Sequence, residues 1–93
     1  METVFRIKGR VQGVGYRFWA IRKIKEIGNL SGYIHNYFDG DVLVYLSGNK
    51  DNIEKAKILF YKGPFLSRVD SVEEHLEDIK LFPPIENGIF KKI

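Results

Sequence analysis

The sequence predicts an α+β fold, an antiparallel sheet with two helices on one face, and three observations carry that prediction. A period-two strand pattern runs through a glycine-rich turn into a helical pattern; an Asp-Gly pair joins two β-rich runs; a second helical pattern separates those runs from strand-like segments further on. The resulting order, strand, helix, strand, strand, helix, strand, sets both helices on the same side of the sheet.

In the first strand, from Thr3 to Lys8, Phe5 and Ile7 alternate with Arg6 and Lys8, the signature of a strand with one buried face. It delivers the chain to Gly9-Arg10-Val11-Gln12-Gly13-Val14-Gly15-Tyr16-Arg17, where three glycines allow a tight turn that leaves several N–H groups unpaired. From Arg17 to Ile27 the apolar Phe18, Ala20, Ile21, Ile24 and Ile27 recur at helical steps, and Gly28-Asn29 stops the helix. The helix N-terminus therefore points at the loop.

Tyr33 to Phe38 and Asp41 to Leu46 flank Asp39-Gly40. Asp-Gly between β-rich runs predicts a hairpin with a type I′ turn, whose two central positions need positive φ. A second helix is expected from about Asp51 to Tyr61, capped near Asn49 or Lys50 and ended by Gly63-Pro64. Val69 to Leu76 completes the sheet as a strand, although Ser71-Val72-Glu73-Glu74 also reads as a capping box opening a short helix. After the break at Pro83-Pro84, Gly88 to Ile93 reads as an extra, short edge strand. The architecture expected is the split βαβ, ferredoxin-like sandwich, with residues 1–93 as a single domain. A chain of this size buries about 60–65% of its unfolded surface, enough for one two-layer core.

Composition narrows the function. The chain has no cysteine, which removes disulfides, thiolate ligands and a cysteine nucleophile. It has no apolar run long enough for a signal peptide or a membrane span, so a soluble, cytoplasmic protein is expected. The net charge is only +3, but up to Lys25 seven bases face the lone Glu2, whereas Asp70 to Asp78 holds five acids and no Lys or Arg. The first third is suited to an anion; the acids read as a solvated face, as do Arg22, Lys23 and Lys25.

The loop matches neither the dinucleotide fingerprint nor the nucleotide P-loop. What it offers is free amides at a helix N-terminus with Arg17 in the first turn, a set that fits an oxyanion such as phosphate. A plain tight turn with a surface arginine is the alternative. Asn36 shares a face with Ile34 and Phe38, so its amide needs a hydrogen-bond partner, for which the neighbouring loop is the ordinary candidate. His35, His75 and the serines have no metal spacing and no adjacent base.

Taken together these stretches resemble the acylphosphatases. Gly9 to Arg17 meets that family's first signature, Gly-Arg-Val-Gln-Gly-Val-x-aromatic-Arg, throughout. Gly32-Tyr33-Ile34-His35-Asn36-Tyr37-Phe38-Asp39-Gly40-Asp41-Val42 follows the second, with Ile34 in place of a smaller residue and His35 in place of the usual Arg or Lys. The resemblance covers nearly the whole chain and implies the ferredoxin-like fold reached above. It implies hydrolysis of a carboxyl–phosphate anhydride to a carboxylate and inorganic phosphate, without metal, cofactor or covalent intermediate. Arg17 becomes the phosphate-binding arginine, the amides of Gln12, Gly13, Val14, Gly15 and Tyr16 the rest of the cradle, and Asn36 the residue that positions the attacking water.

Two other readings compete. One is an RNA-binding module in which Tyr33, Tyr37 and Tyr45 stack bases, although the aromatic signature of such modules is absent. The other is an inactive, phosphate-binding relative, against which the presence of both Arg17 and Asn36 speaks. The expected partner is a small acyl phosphate, with no nucleic acid and no membrane, and a monomer is the expected state.

Overall fold

The computed structural model describes residues 1–93. Its elements run β1 (Glu2–Arg10), α1 (Tyr16–Ile27), β2 (Ser31–Asn36), β3 (Val42–Ser47), α2 (Lys50–Lys62), β4 (Arg68–Glu74), a 3-10 helix (Leu76–Leu81) and β5 (Phe90–Lys92). The sheet order is β4-β1-β3-β2-β5. Four strands pair antiparallel, as the ferredoxin-like pattern predicts, while β5 joins parallel to β2 and makes the sheet mixed.

The two helices take their faces from the expected residues. Ala20 and Ile24 of α1 and Ile53, Ala56 and Phe60 of α2 are buried with Phe5, Ile7, Ile34, Val42, Val44 and Leu46 in one core. Phe60 meets Phe5 edge-on at 5.8 Å, a geometry contributing ~0.5–1.5 kcal/mol beyond the area it buries. Asn49 caps α2 by accepting from the Asn52 amide at 2.8 Å, where the sequence left Asn49 and Lys50 open.

Four details depart from the sequence reading. β4 is the strand expected, but it stops at Glu74, short of Leu76, where the 3-10 helix begins; Ser71 Oγ meets the Glu73 carboxylate rather than capping a helix. The hairpin forms at Asp39-Gly40 but with a three-residue loop, not a type I′ turn. Tyr37 N–H donates to Asp41 O and Gly40 N–H to Tyr37 O, and of the pair only Gly40 has a positive φ, 99°. Asp39 accepts the Asp41 amide at 2.9 Å through Oδ1, a side-chain turn that removes the need for two left-handed residues.

The third departure concerns the sheet face away from the helices. Val4, Tyr33 and Tyr45 are buried there against Ile79, Phe82 and Ile85, so β1 and β3 are covered on both faces. Tyr33 Oη donates to Pro84 O at 2.6 Å, which pins the extended chain that follows the 3-10 helix. That cover carries the chain across the sheet to the far edge, where it can run alongside β2 in the same direction. The fourth is charge: Asp78 is no part of a solvated face but 7% exposed and paired with Arg6.

Candidate active site

β1 ends at a bulge. Its register against β4 shifts between Lys8 and Gly9, and a Cβ on Gly9 would lie 2.1 Å from the Arg68 carbonyl oxygen. Only glycine fits that approach, and the distortion turns the chain into the loop. Gly15 then serves as the N-cap of α1 in the left-handed region, φ 79°, with no side-chain cap and no acid in the first turn.

The consequence is a run of free donors. No amide from Gln12 to Phe18 donates within the chain; the first that does is Trp19, to Gly15 O at 3.0 Å. Unsatisfied N–H groups at the positive end of a helix dipole bind anions. Two side chains fix the loop that carries them. Tyr16 is buried and donates to Phe60 O at 2.7 Å, and burial pushes its phenol pKa far above the ordinary value. Gln12 Nε2 donates to Tyr37 O at 2.7 Å and to Asp41 O at 2.9 Å, clipping the loop to the hairpin.

β2 brings the other component. Ile34 is fully buried in the helix-side core, and alternation puts Asn36 on the same face, as the sequence predicts. The expected partner for its amide is missing: Asn36 Oδ1 is buried and has no hydrogen-bond partner. A buried unpaired acceptor costs ~1–3 kcal/mol, so this atom is held available for something the chain itself does not supply. The residue itself lines a cavity of about 460 Å³ together with Val11, Gly13, Gly15, Tyr16 and Arg17.

Arg17 is half-buried and takes part in none of the chain's ion pairs. The rest of the cavity wall is Phe18, Ile21 and Lys25 of α1 with Phe90, Lys91 and Lys92 of β5. Four cations thus line the cavity and no carboxylate does. Arg17, Asn36 and Gly13, Gly15 and Tyr16 of the loop come together here, while Val14 packs against the core and Gln12 acts through its side chain as the clip. Lys25 was read from sequence as part of a solvated face; it stands at the cavity edge. Lys91 and Lys92 were missed, because only the parallel docking of β5 beside β2 brings them to the site.

The two departures from the second signature lie off the cavity. Ile34 packs into the core, and His35 points to the opposite face, where its Nδ1 lies 3.1 Å from Ile93 O. On that face Tyr33 and Tyr45 are 4% and 5% exposed under Phe82, at ring separations of 6.3 and 5.4 Å.

A protein-family model described as acylphosphatase matches residues 3–82 of this sequence. The chain belongs to the acylphosphatase family. An acylphosphatase from Thermus thermophilus is 49% identical over 72 residues, spanning 77% of this chain and 81% of the relative. One from Aliivibrio fischeri is 38% identical over 85 residues, spanning 85% and 93%. The crystal structure of acylphosphatase from Bacillus subtilis superposes with a TM-score of 0.80 at 23% identity, covering 99% of this chain and 97% of that one; this last likeness is one of fold. As an acylphosphatase the chain is a hydrolase of acyl phosphates, and no helix in it is long and apolar enough to cross a membrane.

Proposed function

We propose that the cavity is the active site, and that Arg17 with the amides of Gln12 to Tyr16 holds the phosphoryl group while Asn36 aims the attacking water. The observation that carries this reading is the orphaned Oδ1 of Asn36, a residue that lines the same cavity as Arg17 and as Gly13, Gly15 and Tyr16 of the loop with its free amides. An oxygen acceptor beside an anion cradle can take a hydrogen bond from water and turn its lone pair toward phosphorus.

Water adds to phosphorus as the P–O bond to the acyl group breaks, and the carboxylate leaves with the bond's electron pair. The proton from water passes to a phosphoryl oxygen. Negative charge on the equatorial oxygens is met by the amides, the α1 dipole and the Arg17 fork, all placed before reaction. An acyl phosphate has a good leaving group, so neither a strong acid nor a covalent nucleophile is required, and the reaction proceeds without metal or cofactor.

Residues 1–93 act, in this reading, as one domain and as a cytoplasmic monomer, since a single chain supplies the loop, the arginine and the asparagine. The nucleic-acid alternative loses its support: Tyr33 and Tyr45, the platform it needs, are covered by Phe82 and the 3-10 helix. Hydrolysis of benzoyl phosphate in the presence of a chelator tests the proposal. Rapid turnover is expected; no turnover would remove the assignment, and restoration only by added metal would remove the mechanism.

A further inference from the structure

The phosphate cradle fills only one end of the cavity. From Arg17 the wall follows one stripe of α1 through Phe18, Ile21 and Lys25, and eight residues of helix put Lys25 ~12 Å further along the axis than Arg17. The facing wall is β5, where Lys92 is in register with Ile34, two positions and so ~7 Å before Asn36 along the sheet. Between these cations and the cradle the lining on the helix side is apolar, from Phe18 and Ile21, and Phe90, in register with Gly32, closes the cavity beyond Lys92. A volume near 460 Å³ lies in the range that encloses ligands much larger than phosphate.

The charge balance of this space is uneven. A phosphate is already met by Arg17, the amides and the helix dipole. Lys25 and Lys92 are additional, and neither has a carboxylate partner, whereas Lys91 is engaged by Glu86 at 3.4 Å. With no acid in the lining and Glu86 engaged by Lys91, they leave the far end positively charged.

We propose that Lys25 and Lys92 form a subsite for a second anionic group, so that the preferred substrates are acyl phosphates whose acyl chain ends in a carboxylate or phosphate after a short apolar stem. This rests on the reading above, because it is the phosphoryl group at Arg17 that directs the acyl chain toward the lysines. The stem lies against Phe18 and Ile21, and the distal anion meets the two ammonium groups.

The test compares acetyl phosphate with succinyl phosphate at physiological ionic strength, in the parent protein and in the Lys25→Gln/Lys92→Gln double variant, with thermal unfolding as a check on folding. The parent should favour succinyl phosphate by about tenfold in kcat/KM, chiefly through KM, as two partly exposed charge contacts allow. In the double variant that ratio should fall to about one, and Lys25→Arg/Lys92→Arg should restore it. An absent preference in the parent, or an equal loss on both substrates in the double variant, would overturn the subsite, the latter by reducing the lysines to general attraction. A parent that hydrolyses neither substrate would instead remove the active-site reading itself.

Discussion

Arg6 and Arg17 are carried by adjoining elements, β1 and α1, and lie on opposite sides of the sheet, yet their surroundings differ in kind. Arg6 is held by Asp78 at 2.9 Å, Asp39 at 3.0 Å and Asp41 at 3.3 Å, and its guanidinium lies over the Tyr37 ring at 5.1 Å. Lys8 adds a further contact to Asp41 at 2.8 Å. Burial works to lower the Arg6 pKa, but the hydrogen bond and charge of Asp78, with Asp41 and Asp39, outweigh it and leave the group above its ordinary value. The charges of Arg6, Lys8, Asp39, Asp41 and Asp78 are answered within the chain. On the helix side Arg17, Lys25 and Lys92 have no carboxylate, the loop amides have no acceptor and Asn36 Oδ1 has no donor. The difference separates a face built for stability from one whose polar groups are kept free for a ligand.

That contrast can be broken experimentally, beginning with the largest effect. Arg17→Ala should lower kcat/KM for benzoyl phosphate by ~10³-fold, with both a raised KM and a lowered kcat, because its charge is felt in ground and transition states. Its unfolding free energy should move by no more than ~0.5 kcal/mol, since no contact within the chain is lost. Arg6→Met should do the reverse. Asp39 and Asp78 would lose this cation and Asp41 would keep only Lys8, at ~2–3 kcal/mol in chemical denaturation, a figure reduced for their partial exposure, while turnover of the folded fraction stays close to the parent's.

The smallest effect is one of pH. Tyr45 is pushed up to about 12 by burial and by the Glu2 carboxylate that accepts its hydroxyl proton at 2.7 Å. A folded pKa above the unfolded one stabilises fully below the unfolded value and loses that contribution as pH rises through the folded value. Stability should therefore fall between about pH 10 and 12, and Tyr45→Phe should make that limb shallower in melts recorded across the range, leaving the part that buried Tyr16 contributes.

The helix-side face was largely legible in the sequence, because its parts are local. Gly9 to Arg17 is a contiguous stretch, Phe5 and Ile7 announce the strand that feeds it, and Asp39-Gly40 marks the hairpin that brings Asn36 alongside. The opposite face was not legible. Arg6 and Asp78 are 72 residues apart, and no periodicity connects Asp78 with the strand it neutralises. The same blindness hid Lys92, which reaches the cavity only because the 3-10 helix and the Phe82 to Ile85 segment carry the chain over the sheet, and the Gln12 clip, whose acceptors are backbone carbonyls 25 and 29 residues away. The turn type was misread for a related reason: Asp39 supplies through its side chain a hydrogen bond that the dipeptide rule assigns to backbone geometry.

The measurement that bears most directly on this division of labour is a paired one on Asn36→Ala, turnover of benzoyl phosphate alongside unfolding free energy. An amide kept without a partner in order to aim water predicts a fall in kcat of ~10²-fold with stability unchanged or slightly raised, because a buried unsatisfied acceptor is removed. Near-normal turnover accompanied by a loss of stability would show that Asn36 belongs to the scaffold, and would contradict the account.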